Sequence, residues 1–157
     1  MRSAPVPLAD GSFPSLPTPR LQYGTLAFRR APVLEILLVT SRDTRRWVIP
    51  KGWPIKGKKP HASAVREALE EAGVSGKPTK TPIGTYNYIK RMGDGSAQPC
   101  IVEVYPLLVK HQRDRWREKD QRELRWFTAT DAAAAVAEPD LAALILAFSG
   151  SPQAPQE

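Results

Sequence analysis

GWPIKGKKPHASAVREALEEAGV, residues 52–74, runs from a glycine- and lysine-rich loop straight into a segment with helical periodicity. Pro60 suits the first helical position, where its missing N–H would have no intrahelical partner, and Gly73 suits a left-handed stop. The spacing predicts a helix over 60–72, with Val74 supplying the apolar contact beyond its cap. At about 100° per residue, Val65, Ala68, Leu69 and Ala72 fall on one face and Glu67, Glu70 and Glu71 on the opposite one. Three carboxylates within about a 100° arc repel one another unless something positive sits among them. Arg66 is placed to pair with Glu70 at i,i+4. One arginine leaves spare negative charge, suited to an oxygen-seeking Mg²⁺ or Mn²⁺.

Upstream, LQYGTLAFR and VLEILLVT read as strands joined by Arg30-Ala31-Pro32, and Trp47-Val48-Ile49 is a third short run ended by Pro50. Downstream, residues 82–91 and 98–109 read as two strands around the Gly93-Asp94-Gly95 turn, with Pro106 suggesting an edge or a bulge. Residues 111–121 read as a charged loop. A short strand near Leu124 to Phe127 then leads into an Ala-rich helical region broken at Pro139. Helices covering a mixed sheet, an α/β sandwich, is the economical packing of this order. Residues 1–19, with five prolines from Pro5 to Pro19, read as an extended arm, 20–148 as the folded domain and 149–157 as a flexible tail.

The apolar runs, Val33 to Val39 interrupted by Glu35 and Leu141 to Phe148, fall far short of the roughly 18 residues of a membrane helix. The first residues lack the apolar stretch of a secretory signal, so the expected location is cytoplasmic. Cys100 alone allows no internal disulfide, and His61 and His111 are too few for a zinc site. Cys100 reads as a buried thiol, and Trp47 and Trp126 as core aromatics. Trp53 could pack on the sheet edge or stack on a base; Trp116, among arginines, is thin support for nucleic acid. The formal charge of +7 favours polyanionic ligands without choosing among them.

The 52–74 stretch resembles the Nudix box, G-x5-E-x7-R-E-U-x-E-E-x-G-U with U a bulky apolar residue. Gly52, Arg66, Glu67, Glu70, Glu71, Gly73 and Val74 match, Ala68 is a relaxed match, and Lys58 stands where the pattern has glutamate. RRWVIPKGW and the Glu123 to Phe127 segment are similar to the diphosphoinositol polyphosphate phosphohydrolase branch of that family. The resemblance implies a Nudix-type αβα sandwich with a mixed β-sheet and hydrolysis of phosphoric anhydrides, in this branch of inositol pyrophosphates and dinucleoside polyphosphates. It also implies Glu67, Glu70 and Glu71 as metal and catalytic carboxylates, Gly52 as a carbonyl ligand to the metal, and Arg66 as their orienting partner. The base that takes a proton from water is Glu67 or Glu70, or a loop carboxylate such as Glu118 or Glu123.

Between Arg42 and Lys59, Arg42, Arg45, Arg46, Lys51, Lys56, Lys58 and Lys59 face a single acid, Asp43. Lys51, Lys56, Lys58 and Lys59 are expected to contact substrate phosphates, the loop lysines in place of a solvated surface role. Arg20, Arg42 and Arg91 fall where the diphosphoinositol branch, by resemblance, puts basic substrate contacts. The expected partner is a polyphosphorylated small molecule, with neither membrane nor nucleic acid, and the oligomeric state is not legible. Two alternatives stay open: the same chemistry on ADP-ribose, a nucleoside triphosphate or an RNA end, and a non-catalytic module that binds a phosphate ligand or nucleic acid.

Overall fold

The computed structural model describes residues 7, 9–11, 17–30 and 32–150. Most of the proposed arm over 1–19, Ala31 in the first connection, and 151–157 of the tail lie outside them. Among the described residues the strands are β1 (Arg20–Arg30), β2 (Leu34–Thr40), β3 (Trp47–Val48), β4 (Lys51–Gly52), β5 (Val74–Pro78), β6 (Gly84–Arg91), β7 (Ala97–Gln112) and β8 (Leu124–Thr128). The helices are α1 (Pro60–Ala72), α2 (Ala129–Ala135) and α3 (Pro139–Ser149), with a 3-10 turn at Lys119–Gln121.

One mixed sheet runs β3-β2-β1-β7-β5, with β4 on β1, β6 on β7 and β8 on β2. β1 and β7 are parallel, Arg20 opposite Cys100 through Phe28 opposite Leu108. β1 and β2 pair only at Phe28–Arg30. Beyond that they diverge, and the chain fills the gap, β3 bonding β2 at Val39 and Thr40 and β4 bonding β1 at Tyr23 and Gly24. Pro50 carries the chain across, its carbonyl accepting from Thr25 N–H at 3.0 Å. This split places Lys51 and Gly52 beside α1.

The two faces are filled differently. Under α2 and α3 lie Leu26, Phe28, Ile36, Leu38, Tyr86, Val102 and Val104 with Leu141, Ile145 and Phe148. Under α1 lie Ala27, Leu37, Val39 and Leu107 with Ala68, Ala72 and Val74. Among the described residues no helix is long and apolar enough to cross a membrane.

Two expectations change. The buried side of α1 is Ser63, Ala64, Ala68, Glu71 and Ala72, while Val65 and Leu69 are half-buried. The small side chains permit the closest approach to the sheet, so they face it and carry Glu71 underneath. Secondly, Pro106 lies in a central strand. β6 pairs with β7 up to Val104 and β5 from Leu107 onward, so the proline falls at the changeover, where its carbonyl accepts from Thr79 N–H at 2.9 Å. A residue's N and O project to the same side of its strand, so the missing donor falls at this changeover and not in the ladder with β1. VSGKP, for which the sequence reading assigns no element beyond Val74, forms β5. Gly76 is needed because a Cβ would overlap the Leu108 carbonyl, at the bulge between Ser75 and Gly76.

Candidate active site

α1 is held at both ends. Lys59, in extended conformation, precedes Pro60, and the Ser63 hydroxyl accepts from Ile55 N–H at 2.7 Å, tying the glycine-rich loop to the first turn. At the other end Gly73 takes φ 68° and donates to Leu69 O at 3.0 Å. The last carbonyls of a helix lack intrahelical donors, and here the β7–β8 loop supplies them. Gln112 Nε2 donates to Ala72 O and Gly73 O, Arg113 N–H to Gly73 O, and Glu118 N–H to Glu70 O. Trp116 lies flat against Gly73, where any Cβ would run into the indole. Its packing on the helix end accounts for the aromatic that arginine interleaving had marked for nucleic acid.

That clamp brings Glu118 and Arg122 to the helix. Together with Glu67, Glu71, Gly52, Lys51 and Arg42 they line a cavity of about 200 Å³ that Gln22, Tyr88 and Lys90 also border. Gly52 touches Glu67 so closely that a Cβ would overlap its carboxylate. Arg122, 11% exposed at its side chain, donates from Nε to Glu118 Oε1 at 2.9 Å and from Nη1 to Thr40 O at 3.0 Å, with Nη2 3.8 Å from Glu71 Oε1. Burial, then the neighbouring Glu70 and Glu118, pushes Glu67 up to about 7. Burial pushes Glu71 up to about 8 against the pull of Arg122 and Lys51. The same desolvation lowers Lys51, with Glu71 opposing. The pocket therefore balances four acids, Asp43, Glu67, Glu71 and Glu118, against four bases, Arg42, Lys51, Lys90 and Arg122, with burial favouring the protonated carboxyls.

The other expected residues fall into two sets. Glu70 turns outward, 3.1 Å from Arg66 Nε and 3.5 Å from Arg117 Nη1. Arg42 reaches Gln121 Oε1 at 3.0 Å and Glu118 at 3.8 Å, at the rim. Arg20 stacks on Trp53, 4.1 Å from the ring centre, and Arg91 lines an adjoining larger cavity. Lys56, Lys58 and Lys59 are exposed and do not border the carboxylate pocket; Lys58 lines a shallow apolar depression with His61, Val65 and Leu69. Glu123 is exposed, bonded through its backbone to Thr40. Sequence reasoning missed Arg122, Lys90 and Gln22, whose only signals are single polar residues in strands or loops.

Among the described residues no three His, Cys, Asp or Glu side chains are gathered tightly enough to hold a metal. Glu71 and Glu118 face Arg122 instead. The donor chemistry nevertheless fits a hard divalent cation, since carboxylates with raised proton affinity share one pocket with a close-packed backbone glycine.

Residues 20–148 match the family model for the NUDIX domain. The chain is 33% identical over 110 residues to human diphosphoinositol polyphosphate phosphohydrolase 3-beta, covering 68% of this chain and 63% of that protein. It is 31% identical over 104 residues to Nudix hydrolase 13, mitochondrial, of Arabidopsis thaliana, covering 63% and 52%. The chain spans about half the length of the curated relatives it matches. Its fold is similar to that of a C. elegans Ap4A hydrolase in a binary complex, with a TM-score of 0.62 at 19% identity, covering 83% of this chain and 95% of that one.

Proposed function

The chain belongs to the Nudix family, and we propose that it is a Mg²⁺- or Mn²⁺-dependent pyrophosphohydrolase cleaving a diphosphate bond in a polyphosphorylated small molecule. The observation that carries this reading is the meeting in one pocket of Glu67, Glu71 and Glu118 with Lys51, Lys90, Arg42 and Arg122. A diphosphate needs both signs of charge: carboxylates to hold a cation and receive a proton, and fixed cations for the phosphate oxygens. Glu67, Glu71 and the Gly52 carbonyl would hold the cation, with Glu70, braced by Arg66, beside them. When bound, the ion supplies charge neutralisation on the phosphates and a more acidic water. Glu67, with its raised proton affinity, and Glu118 in the loop are the two carboxylates suited to take the proton.

Lys51 and Lys90 are the cations best placed for phosphate oxygens in the pocket, with Arg42, Arg20 and Arg91 extending the basic border. The aromatic side chains argue against a base-stacking slot in the carboxylate pocket. Tyr86 is buried in the core, Tyr88 carries Lys51 over its ring at 4.8 Å, and Arg20 covers a face of Trp53. That favours inositol pyrophosphates or dinucleoside polyphosphates over single-base recognition there. The proposal includes 20–148 as the working domain and a cytoplasmic location, which truncation and cell fractionation test.

A phosphate-release screen with Mg²⁺ over nucleoside triphosphates, ADP-ribose, dinucleoside polyphosphates and inositol pyrophosphates tests the activity. Turnover of the last two groups above the others, lost in chelator, is the expected result. No metal-dependent release from any of them would sink the reading.

A further inference from the structure

Because α1 turns its alanines to the sheet, Val65 and Leu69 are left half-buried on the outer side of the helix. With Ala62 and, from β5, Pro78, they floor a depression of about 350 Å³ that Lys58, His61 and Arg66 also line. Neither the carboxylate pocket nor the larger cavity adjoining it includes any of these residues.

The charge around the depression is largely of one sign. The segments on either side of Leu69, 53–66 and 72–81, carry Lys56, Lys58, Lys59, Arg66, Lys77 and Lys80 and no acid. Glu70, next to Leu69, is already engaged by Arg66 and Arg117. Lys56, Lys58 and Lys59 are exposed, and among the described residues no carboxylate pairs with any of them. Lys58 is also the departure from the Nudix box, a cation where the pattern has an acid. An apolar floor bordered by such lysines is complementary to a segment whose apolar side chains are set among carboxylates.

Other polyanions fit it less well. Single-stranded nucleic acid stacks its bases on aromatic side chains, and no Phe, Tyr or Trp lines the depression. An anionic membrane takes up apolar side chains that protrude, whereas Val65 and Leu69 line a concavity. Residues 1–19, with Asp10 as their sole acid, and 151–157, with Glu157 as theirs, lack the acidic composition. We propose that the outer side of α1 is a docking surface for an acidic, leucine-bearing segment of a partner protein. Val65 and Leu69 receive the leucine, and Lys58 the carboxylates beside it. The surface shares no lining residue with the carboxylate pocket, so the proposal does not depend on the hydrolase reading.

The test is an NMR titration of the ¹⁵N-labelled full chain with a peptide of four Glu-Glu-Leu repeats, with affinities from fluorescence anisotropy of the labelled peptide. Amide shifts should concentrate at Lys58, His61, Val65 and Leu69 and leave Gly52, Lys90 and Arg122 in place. Replacing the peptide's leucines by serine should weaken binding about tenfold or more, since each leucine then forgoes its burial. Leu69→Ser should weaken it similarly, and Lys58→Glu about threefold or more. Lys58→Glu alters only an exposed side chain, so it keeps the test intact should Leu69→Ser fail to fold. Absence of binding, shifts centred on Gly52 and Lys90, equal affinity for the serine peptide, or indifference to Lys58→Glu would each overturn the proposal. Tighter binding of oligouridylate or phosphatidylserine vesicles through these same amides would also overturn it, giving the surface to nucleic acid or to a membrane.

Discussion

The two faces of the sheet solve different problems. Beneath α2 and α3 the space is filled by large side chains, Phe28 against Phe148 with ring centres 5.0 Å apart, and Leu141 and Ile145 fully buried. Beneath α1 the helix offers alanines, and Ala64, Ala68 and Ala72 are all inaccessible to solvent. Bulk on one side removes apolar area from water, which stabilises the fold wherever the helices settle within their grooves. Small residues on the other side bring a helix close to the strands, which lowers Glu71 into the interior and presses Glu67 against Gly52. One face holds the protein together; the other holds carboxylates where water would not leave them.

Substitutions can break that comparison, and the largest effect belongs to the carboxylates. Glu67→Gln and Glu71→Gln keep volume but remove charge, and each should lower kcat at least about 100-fold on whichever substrate the release screen identifies, with the fold retained by circular dichroism. A near wild-type rate in either would remove that carboxylate from the chemistry. On the bulky face, Ile145→Ala should cost about 2–5 kcal/mol in denaturant unfolding through the cavity it leaves. Metal-dependent kinetics of the remaining folded protein should not change. If they do, the division between faces is wrong.

Ala68→Leu tests the small face from within. Overpacking should cost about 1–3 kcal/mol and also displace the helix, so Mn²⁺ affinity measured by paramagnetic relaxation should fall along with stability. Loss of stability with unchanged affinity would show that close approach is not what places the carboxylates.

A fourth outcome concerns pH in chelator. Glu71 ionises near 4.5 ordinarily and is pushed up to about 8 by burial. Between those values the folded protein holds a proton that the unfolded chain has released. The contribution of this group to stability is therefore full below about pH 4.5 and is lost as pH rises through about 8. Urea midpoints at pH 5 and pH 8 measure the decline, and Glu71→Gln should lessen it, leaving the part that belongs to Glu67, itself pushed up to about 7. A midpoint that rises with pH would reverse the sign of the burial effect.

The smallest effect is expected at Lys58, where the family pattern has glutamate. Its side chain borders the depression on the outer side of α1, so Lys58→Glu should alter kcat/KM by no more than about twofold. Kinetics at two ionic strengths check this: a large, salt-dependent rise in KM would put the loop lysine on the substrate after all.

Local rules carried the sequence a long way. Pro60 and Gly73 bound α1 because proline's missing donor and glycine's left-handed freedom act within one or two residues, and the apolar, aromatic and β-branched runs in LQYGTLAFR and VLEILLVT marked β1 and β2. The R-E-x-x-E-E spacing announced an acidic helix without reference to any other segment. What the tertiary structure decided is which way that helix turned and what met it. Rotation follows from the closest approach of two packed elements, so the alanines displaced Leu69 from the interface and carried Glu71 inward. Arg122 and Glu118 reached the pocket through a loop clamped by Trp116 and Gln112, a contact between residues some 40 to 50 positions apart that no local periodicity encodes. Pro106 misled, and VSGKP gave no signal, for the same reason: a proline is tolerated, and VSGKP is a strand, only because of what lies across the ladder from them.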